Sequence, residues 1–131
     1  MNPTVPQGPI ALIVDDHEAV RRALCDRIQT SFHQFSLRQA GSVDEALKIV
    51  EAEQVDLVLM DFRLPGMDGV DGTREVLARS PRTTVVMVSV CDDSCHRTAA
   101  SRAGARAFVS KRAIGRELVP TIESLVSAGS C

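Results

Sequence analysis

Hydrophobic and polar positions alternate along this chain with two different periods. Short apolar runs rich in β-branched residues recur between longer segments in which apolar residues are spaced three or four positions apart. Runs of the first kind are typical of strands buried on both faces, and spacing of the second kind is typical of amphipathic helices. The apolar runs predict the strands Ile10–Val14, Phe35–Ala40, Val55–Met60, Thr84–Val90 and Ala107–Val109.

Helices are predicted between and after these strands. The spacing predicts a first helix from His17 to about Thr30, and Ser42 with Glu45 forms a capping box that opens the second. A weaker third helix, interrupted by Gly72, runs over about residues 70–80, and the fourth over about residues 94–103. Pro120 is expected in the first turn of the last helix, whose apolar positions include 118, 122 and 125.

This alternation of strands and helices predicts the fold class. Right-handed βαβ units build a parallel sheet with helices on both faces. Five such units in about 120 residues have the size of a flavodoxin-like (βα)5 three-layer sandwich with sheet order 2-1-3-4-5. In such α/β sheets the functional crevice lies at the carboxyl ends of the strands, near the switch between strands 1 and 3.

Composition is consistent with one folded domain. The chain has 131 residues, of which 44% are hydrophobic and 24% are charged, and its formal net charge is −2. This balance argues against a disordered chain and against a nucleic-acid binder that relies on many phosphate contacts. No apolar run approaches the roughly 20 residues that span a bilayer, and the first residues do not form a secretory signal. We therefore expect a cytoplasmic domain that contacts neither membrane nor nucleic acid itself.

Proline and glycine positions suggest the domain limits. They predict a flexible leader over residues 1–8, one domain over residues 9–127 and a tail over residues 128–131. The tail is too short for an output domain, which we expect to be absent or truncated. The spacing of Cys91, Cys95 and His96 invites a zinc interpretation, but no second ligand pair stands at a standard spacing, so we predict isolated thiols.

Polar side chains gather at the carboxyl ends of the predicted strands. Asp15 and Asp16 follow the first strand and Asp61 follows the third, so three carboxylates converge and would repel one another without a cation. Carboxylate oxygens suit Mg²⁺. Ser89 and Lys111 follow the fourth and fifth strands and add a hydroxyl and a cation, both suited to a phosphoryl group.

Other ligands of such sheets fit this sequence less well. A flavin or dinucleotide needs a glycine- or hydroxyl-rich loop after the first strand, whereas this loop is Asp15-Asp16-His17-Glu18, and a Walker-type loop is absent. An aspartyl phosphatase stays open, because a carboxylate nucleophile with Mg²⁺ is also its chemistry. Such enzymes typically carry a second acid two residues after the nucleophile, where this chain has Arg63.

Four motifs in order connect the chain to a known family. They are Val14-Asp15-Asp16, then Met60-Asp61 followed by Leu64-Pro65-Gly66-Met67-Asp68-Gly69, then Ser89, then Lys111. On these motifs the segment from Pro9 to Ser127 resembles the receiver domain of bacterial two-component response regulators. The segments Asp15–His17 and Phe108–Ala113 are most similar to receivers joined to LuxR-type helix-turn-helix domains.

The resemblance implies roles for the acidic residues. Asp61 would be the phosphoacceptor for the phosphohistidine of a sensor histidine kinase. Mg²⁺ would be held by Asp16, Asp61 and the backbone carbonyl of Arg63, with Asp15 acting largely through water. Catalysis of this kind is mainly positioning and charge neutralisation.

The resemblance also implies a switch. Lys111 would pair with Asp61 and then with the phosphoryl oxygens, Ser89 would hydrogen-bond the phosphoryl group, and Phe108 would change rotamer with it. A phosphate adds about −1.5 to −2 charge and three acceptor oxygens, enough to bias a bistable loop.

A few positions depart from the family's common pattern. Val90 stands where the family usually has alanine or glycine, and its branched side chain is expected to narrow access to Asp61. Arg63 and Cys91 stand at positions that tune phosphoryl lifetime, and Arg63 is expected either to contact the phosphoryl group, to pair with a loop acid or to be solvated. Arg112 replaces the proline of many receivers.

The expected output is transcription regulation through a DNA-binding domain of the full-length protein. The face formed by the fourth helix, fifth strand and fifth helix is expected to serve a homodimer or effector, and Ala19 and Ala23 would face the kinase. The chain would catalyse only its own phosphorylation and dephosphorylation, so it is not classed as an enzyme. The alternative is a stand-alone or phosphorylation-independent docking module. Residues 94–116 hold six basic residues and no acids: Arg97, Arg102, Arg106, Lys111, Arg112 and Arg116.

Overall fold

Strands and helices alternate throughout residues 8–129, the part of the chain that the computed structural model describes. The strands are β1 (Ile10–Val14), β2 (Ser36–Ala40), β3 (Leu57–Asp61), β4 (Thr84–Ser89) and β5 (Ala107–Ser110). The helices are α1 (Glu18–Ser31), α2 (Val43–Ala52), α3 (Gly69–Arg79), α4 (Ser94–Ala103) and α5 (Ile114–Gly129), with a 3-10 turn at Lys111–Ala113. Most of the predicted leader lies outside the described residues, and α5 continues two residues into the predicted tail.

The strands form one parallel sheet in the order β2-β1-β3-β4-β5, which confirms the predicted topology. The register aligns the carboxyl ends: Val14 pairs with Met60, Asp61 with Val88, and Ser89 with Ser110. Side chains that follow β1, β3, β4 and β5 therefore emerge at one edge of the sheet.

Two separate cores cover the two faces of the sheet, because successive strand residues point to opposite sides. On one face the strand residues pack with α2, α3 and α4: they include Leu12, Val14, Val58, Met60 and Met87. On the other face they pack with α1 and α5: they include Ala11, Ile13, Leu59, Val86 and Val88. This arrangement is the predicted three-layer sandwich. No helix among residues 8–129 is both long enough and apolar enough to cross a bilayer.

Two local predictions about helices differ from the structure. Gly72 does not interrupt α3, since a Cβ there would come 2.7 Å from Val43 Cγ2, and glycine instead lets α2 and α3 pack closely. Pro120 is not in the first turn of α5, which begins at Ile114; it lies exposed inside the helix. A proline there leaves the carbonyl four residues earlier without its helical donor, and we attribute its tolerance to the complete burial of Leu118 and Ile122 on the other side of α5.

Candidate functional site

Asp61 is the last residue of β3 rather than the first residue after it. Its side chain is 7% exposed, and its Oδ1 accepts a hydrogen bond of 3.4 Å from the backbone N–H of Arg63. Pairing with Val88 fixes its backbone within the sheet. A carboxylate is thus held at a defined point on the edge of the sheet.

The loop that follows Asp61 in the chain supports the backbone of this residue. Gly69 N–H donates to the carbonyl of Phe62 at 2.9 Å, and Asp68 caps α3 through a 2.9 Å hydrogen bond from Asp71 N–H. A Cβ at Gly69 would overlap the carbonyl oxygen of Asp61. Only glycine therefore lets α3 begin against the strand end that carries the carboxylate.

Lys111 lies between two buried carboxylates. Its Nζ is 3.1 Å from Asp15 Oδ2 and 3.3 Å from Asp61 Oδ2. Asp15 follows β1 and Lys111 follows β5, so two strands separated by others in the sheet contribute to one ion-paired cluster. The structure thus brings together Asp15, Asp61 and Lys111, as predicted from their positions after strand ends.

The cluster holds an excess of negative charge. Burial raises the pKa of Asp61 above that of an ordinary carboxyl; the Lys111 charge opposes this rise and Asp15 adds to it. Burial by itself lowers the pKa of Lys111, but the facing carboxylates, Asp61 foremost, raise it overall. Both groups therefore retain protons more strongly than they would in water. A divalent cation would offset that excess charge.

Asp16 and His17 complete the acidic group. One ligand atom from each of Asp15, Asp16, His17 and Asp61 lies within 4.8 Å of the others. Carboxylate oxygens are the ligands that Mg²⁺ prefers, and Asp16 is the more exposed acid, open to an arriving ion. The residues present therefore fit a small divalent cation. The expected part of the Arg63 carbonyl in that site stays a prediction.

Arg21 is a site residue that the sequence analysis missed. Its Nη1 donates to the carbonyl of Asp15 at 2.7 Å, and its Nε donates to Gln39 Oε1 at 3.0 Å. The guanidinium therefore fixes the backbone from which the two acids project. The available signal in the sequence was its spacing. Arg21 stands one turn after His17, and residues one turn apart lie on the same face of a helix, so its side chain lies near the start of α1.

Ser89 lies at the end of β4, and its Oγ accepts a 3.1 Å hydrogen bond from the backbone N–H of Cys91. Ser89 is buried, and this hydrogen bond holds the turn that follows β4. Val90, predicted to be the last residue of β4, is outside the strand and 52% exposed. It leaves the sheet because β4 pairs with β5 only as far as the Ser89–Ser110 partners.

Phe108 lies on β5 and is half-buried against the core beneath α4. The guanidinium of Arg97 lies over its ring at 4.8 Å from the centroid, and Arg97 Nε also donates to the carbonyl of Asp92 at 3.0 Å. The neighbouring His96 packs against Phe62 with ring centroids 4.7 Å apart and ring planes tilted by 49°. The first turn of α4 therefore contacts both the aromatic residue of β5 and the residue that follows Asp61.

Two other predicted positions are at the surface. The side chain of Arg63 is exposed and forms no ion pair with any residue between 8 and 129, so the predicted pairing with a loop acid is not formed. Cys91 is partly buried and free. Neither side chain belongs to the acidic group, so a role for them in tuning the site stays a prediction.

Comparison with known proteins gives a consistent picture. The family described as response regulator receiver domain matches residues 11–123. Response regulator GacA of Pseudomonas viridiflava is 36% identical over 118 residues, which cover 90% of this chain and 55% of that protein. Transcriptional activator protein ExaE of Pseudomonas putida is 38% identical over 102 residues, covering 78% of this chain and 48% of that protein. The chain therefore spans about half the length of these relatives.

Solved structures show the same architecture. A LuxR-family two-component response regulator from Aurantimonas sp. SI85-9A1 superimposes with a TM-score of 0.86 at 26% identity, covering 92% of this chain and 86% of that one. The signal receiver domain of the putative response regulator NarL from Mycobacterium tuberculosis superimposes with a TM-score of 0.80 at 25% identity, covering 95% and 98%.

Proposed function

Because this chain belongs to the response regulator receiver family, we propose that it accepts a phosphoryl group on Asp61 from a sensor histidine kinase of a two-component system. Its relatives include transcriptional regulators and its structural neighbours include LuxR-family response regulators, which confirms the branch expected from the sequence. The observation that carries the proposal is the placement of Lys111 Nζ 3.1 Å from Asp15 Oδ2 and 3.3 Å from Asp61 Oδ2.

The proposed reaction is an in-line displacement at phosphorus. A carboxylate oxygen of Asp61 forms a P–O bond while the P–N bond of the donor phosphohistidine breaks, and the leaving imidazole nitrogen keeps the electron pair. Lys111 stabilises the charge on the phosphoryl oxygens that arrive beside Asp61, because its ammonium already faces that carboxylate. The chain thus acts on its own side chain, and it turns over no separate substrate.

The cation belongs to the same proposal. Asp15, Asp16 and Asp61, with the backbone carbonyl of Arg63, would hold Mg²⁺. When bound, Mg²⁺ neutralises charge on the acidic group and on the phosphoryl oxygens. Of these residues, Asp15 and Asp61 are nearly buried and prearranged, whereas Asp16 is more exposed.

Switching would proceed through the edge of the sheet next to α4. Ser89 Oγ, which accepts the Cys91 N–H in this structure, would turn to donate its hydroxyl to a phosphoryl oxygen, and Phe108 would change rotamer beneath Arg97. These movements would alter the face built from α4, β5 and α5, which we propose forms a homodimer or controls a DNA-binding domain. The kinase would dock beside Ala19 and Ala23 on α1, both of which are exposed.

Intact-mass analysis tests the phosphoacceptor. The wild type, Asp61→Asn and Asp44→Asn are incubated with acetyl phosphate or phosphoramidate, each with Mg²⁺ and with a chelator. Asp44 is an exposed carboxylate on α2, so its variant matches the change of charge far from the site. We expect one phosphoryl adduct in the wild type and in Asp44→Asn, dependent on Mg²⁺, and none in Asp61→Asn.

Two further arms separate the alternatives. If small donors react slowly while a histidine kinase reacts readily, Val90→Ala should speed the small donors several-fold, since Val90 is expected to narrow the approach to Asp61. An adduct retained in Asp61→Asn would overturn the assignment. No adduct with any donor, kinases included, would favour the phosphorylation-independent docking module, and steady release of phosphate from a small phosphoester would favour the aspartyl phosphatase.

A further inference from the structure

His17 faces the two acids that follow β1. Its Nδ1 lies 3.2 Å from Asp16 Oδ1 and 3.3 Å from Asp15 Oδ1. Although His17 occupies the N-cap position of α1, its side chain makes no capping hydrogen bond. The His17 side chain is 70% exposed, so packing against buried neighbours does not fix its orientation. Its orientation toward two carboxylates therefore needs a local cause.

The backbone contributes to that orientation. His17 N–H donates to Asp15 Oδ1 at 2.8 Å, which draws the start of α1 over the same oxygen that the ring faces. The other oxygen of Asp15 is taken by Lys111. Asp15 thus presents Oδ1 toward His17 and Asp16, on the side away from the lysine.

The spacing of these atoms matches neighbouring ligands of one metal ion. Two adjacent ligands of an octahedral ion with bonds of about 2.1 Å lie roughly 3.0 Å apart. The observed 3.2 and 3.3 Å are close to that edge length. As N–H···O hydrogen bonds, the contact to Asp16 is at the upper end of the ordinary range and the contact to Asp15 is just beyond it. In the tautomer that carries its proton on Nε2, Nδ1 turns its lone pair toward the same carboxylates, an arrangement that a cation between them stabilises.

We propose that His17 Nδ1 is a direct ligand of the cation in this site and makes it prefer a first-row transition ion such as Mn²⁺ over Mg²⁺. Mn²⁺ takes oxygen ligands as Mg²⁺ does, but as a transition ion it accepts an imidazole nitrogen more readily than Mg²⁺. The proposal rests on the proposed function, because it assigns the nitrogen ligand and the ion preference of the same acidic site. It concerns the chain's own His17 and needs no phosphoryl group.

Pulsed electron paramagnetic resonance of the Mn²⁺-loaded chain identifies the ligand. The chain is prepared without a histidine tag, once with ordinary histidine and once with ¹⁵N-histidine. We expect a hyperfine coupling from a directly bound nitrogen that changes from ¹⁴N to ¹⁵N on labelling. The coupling should vanish in His17→Ala and persist in His33→Ala, an exposed histidine beyond the end of α1. Since His17 forms no cap hydrogen bond, its alanine variant loses no helix cap.

Binding constants measured by calorimetry test the ion preference. We expect His17→Ala to weaken Mn²⁺ binding about tenfold and Mg²⁺ binding less than twofold. Mn²⁺ bound without a nitrogen coupling, or with equal losses for both ions, would overturn the inference while leaving the proposed function intact if Mg²⁺ still supports the Asp61 adduct. Failure of the wild type to bind either ion would overturn the inference and contradict the metal part of the proposed function.

Discussion

Two adjoining regions at the same edge of the sheet are held in very different ways. The acid pocket, defined as Asp15, Asp16, Asp61 and Lys111, lies at the ends of β1, β3 and β5. Its buried acids, Asp15 and Asp61, are fixed by backbone hydrogen bonds and by ion pairs with Lys111. The β4–α4 segment, residues 90–97, is mostly exposed. It is tied to the rest of the molecule by single contacts, such as Arg97 over Phe108 and His96 on Phe62.

This difference shows how one small domain can combine a fixed site with a movable reporter, meaning a segment whose position changes when the charge of the site changes. The pocket has to hold opposed charges at constant distances, so its side chains project from strand ends buried in a packed sheet. The β4–α4 segment has to change when charge arrives, so it is held by contacts that are individually weak and replaceable. Ser89 lies between the two regions, since it ends β4 and holds the turn into the segment.

The largest expected effect concerns the support of the pocket. Gly69→Ala places a methyl group onto the carbonyl oxygen of Asp61, which is backbone and cannot rotate away. We expect a loss of about 3 kcal/mol in the free energy of unfolding, measured by urea denaturation. Gly115→Ala is the matched control, because its new Cβ would lie 3.9 Å from Arg27 Nη2, and about 0.5 kcal/mol of gain is expected.

An equal response of the two glycine variants would contradict this account. It would mean that the start of α3 can move away from Asp61 at little cost, so the pocket would be no more rigid than the β4–α4 segment.

The next largest expected effect concerns the buried carboxylate of Asp61. Since burial raises the pKa of Asp61, the folded state binds its proton more tightly than the unfolded chain does. The contribution of Asp61 to wild-type stability therefore decreases as pH rises from about 4, the ordinary carboxyl value, through the raised pKa. Asp61→Asn removes this cost. In chelator we expect it to be about 1 to 2 kcal/mol more stable than the wild type at pH 7.

The stability difference between Asp61→Asn and the wild type should depend on pH in a definite direction. The advantage of Asp61→Asn should be complete above the raised pKa and disappear as pH falls toward 4, because both states are then protonated in the wild type. Urea unfolding from pH 4 to pH 8 measures the difference, with Asp44→Asn as the control of equal charge. A stability difference that stays constant over this range would show that burial does not raise the pKa of Asp61.

Much of the fold could be predicted from the sequence, because buried strands leave apolar runs that cannot be mistaken for surface. The apolar run at Ile10–Val14 matched β1. Prediction failed where a tertiary contact outweighs a local preference. Pro120 lies inside α5 because the helix buries Leu118 and Ile122, and Gly72 lies inside α3 because a neighbouring helix needs the space.

The candidate site was predicted in part for a related reason. Residues directly after strands, such as Asp15 and Lys111, are brought together by topology alone, so a sheet order is enough to group them. Arg21 and His17 act from α1, and their contacts depend on the orientation of that helix start. A sequence pattern specifies the face of a helix but not the angle at which its first turn meets a loop.

The smallest expected effect probes the β4–α4 segment directly. A cation over a partly exposed ring contributes about 0.5 to 1 kcal/mol. A double-mutant cycle of Arg97→Gln and Phe108→Leu should therefore give a coupling energy of that size, measured by urea denaturation. Arg102→Gln, an exposed basic residue on the same helix, should give no coupling with Phe108→Leu.

Hydrogen exchange then locates the consequence. Arg97 also holds the carbonyl of Asp92, so Arg97→Gln should speed exchange of the amides in residues 92–97. The Asp15 amide, bonded to the Ala40 carbonyl, should be unchanged. Faster exchange at Asp15 as well would mean that the acid pocket and the segment loosen together, and the distinction between a fixed site and a movable reporter would fail. Exchange confined to the segment would mean that a weak contact restrains α4 independently of the pocket, as a switch element requires.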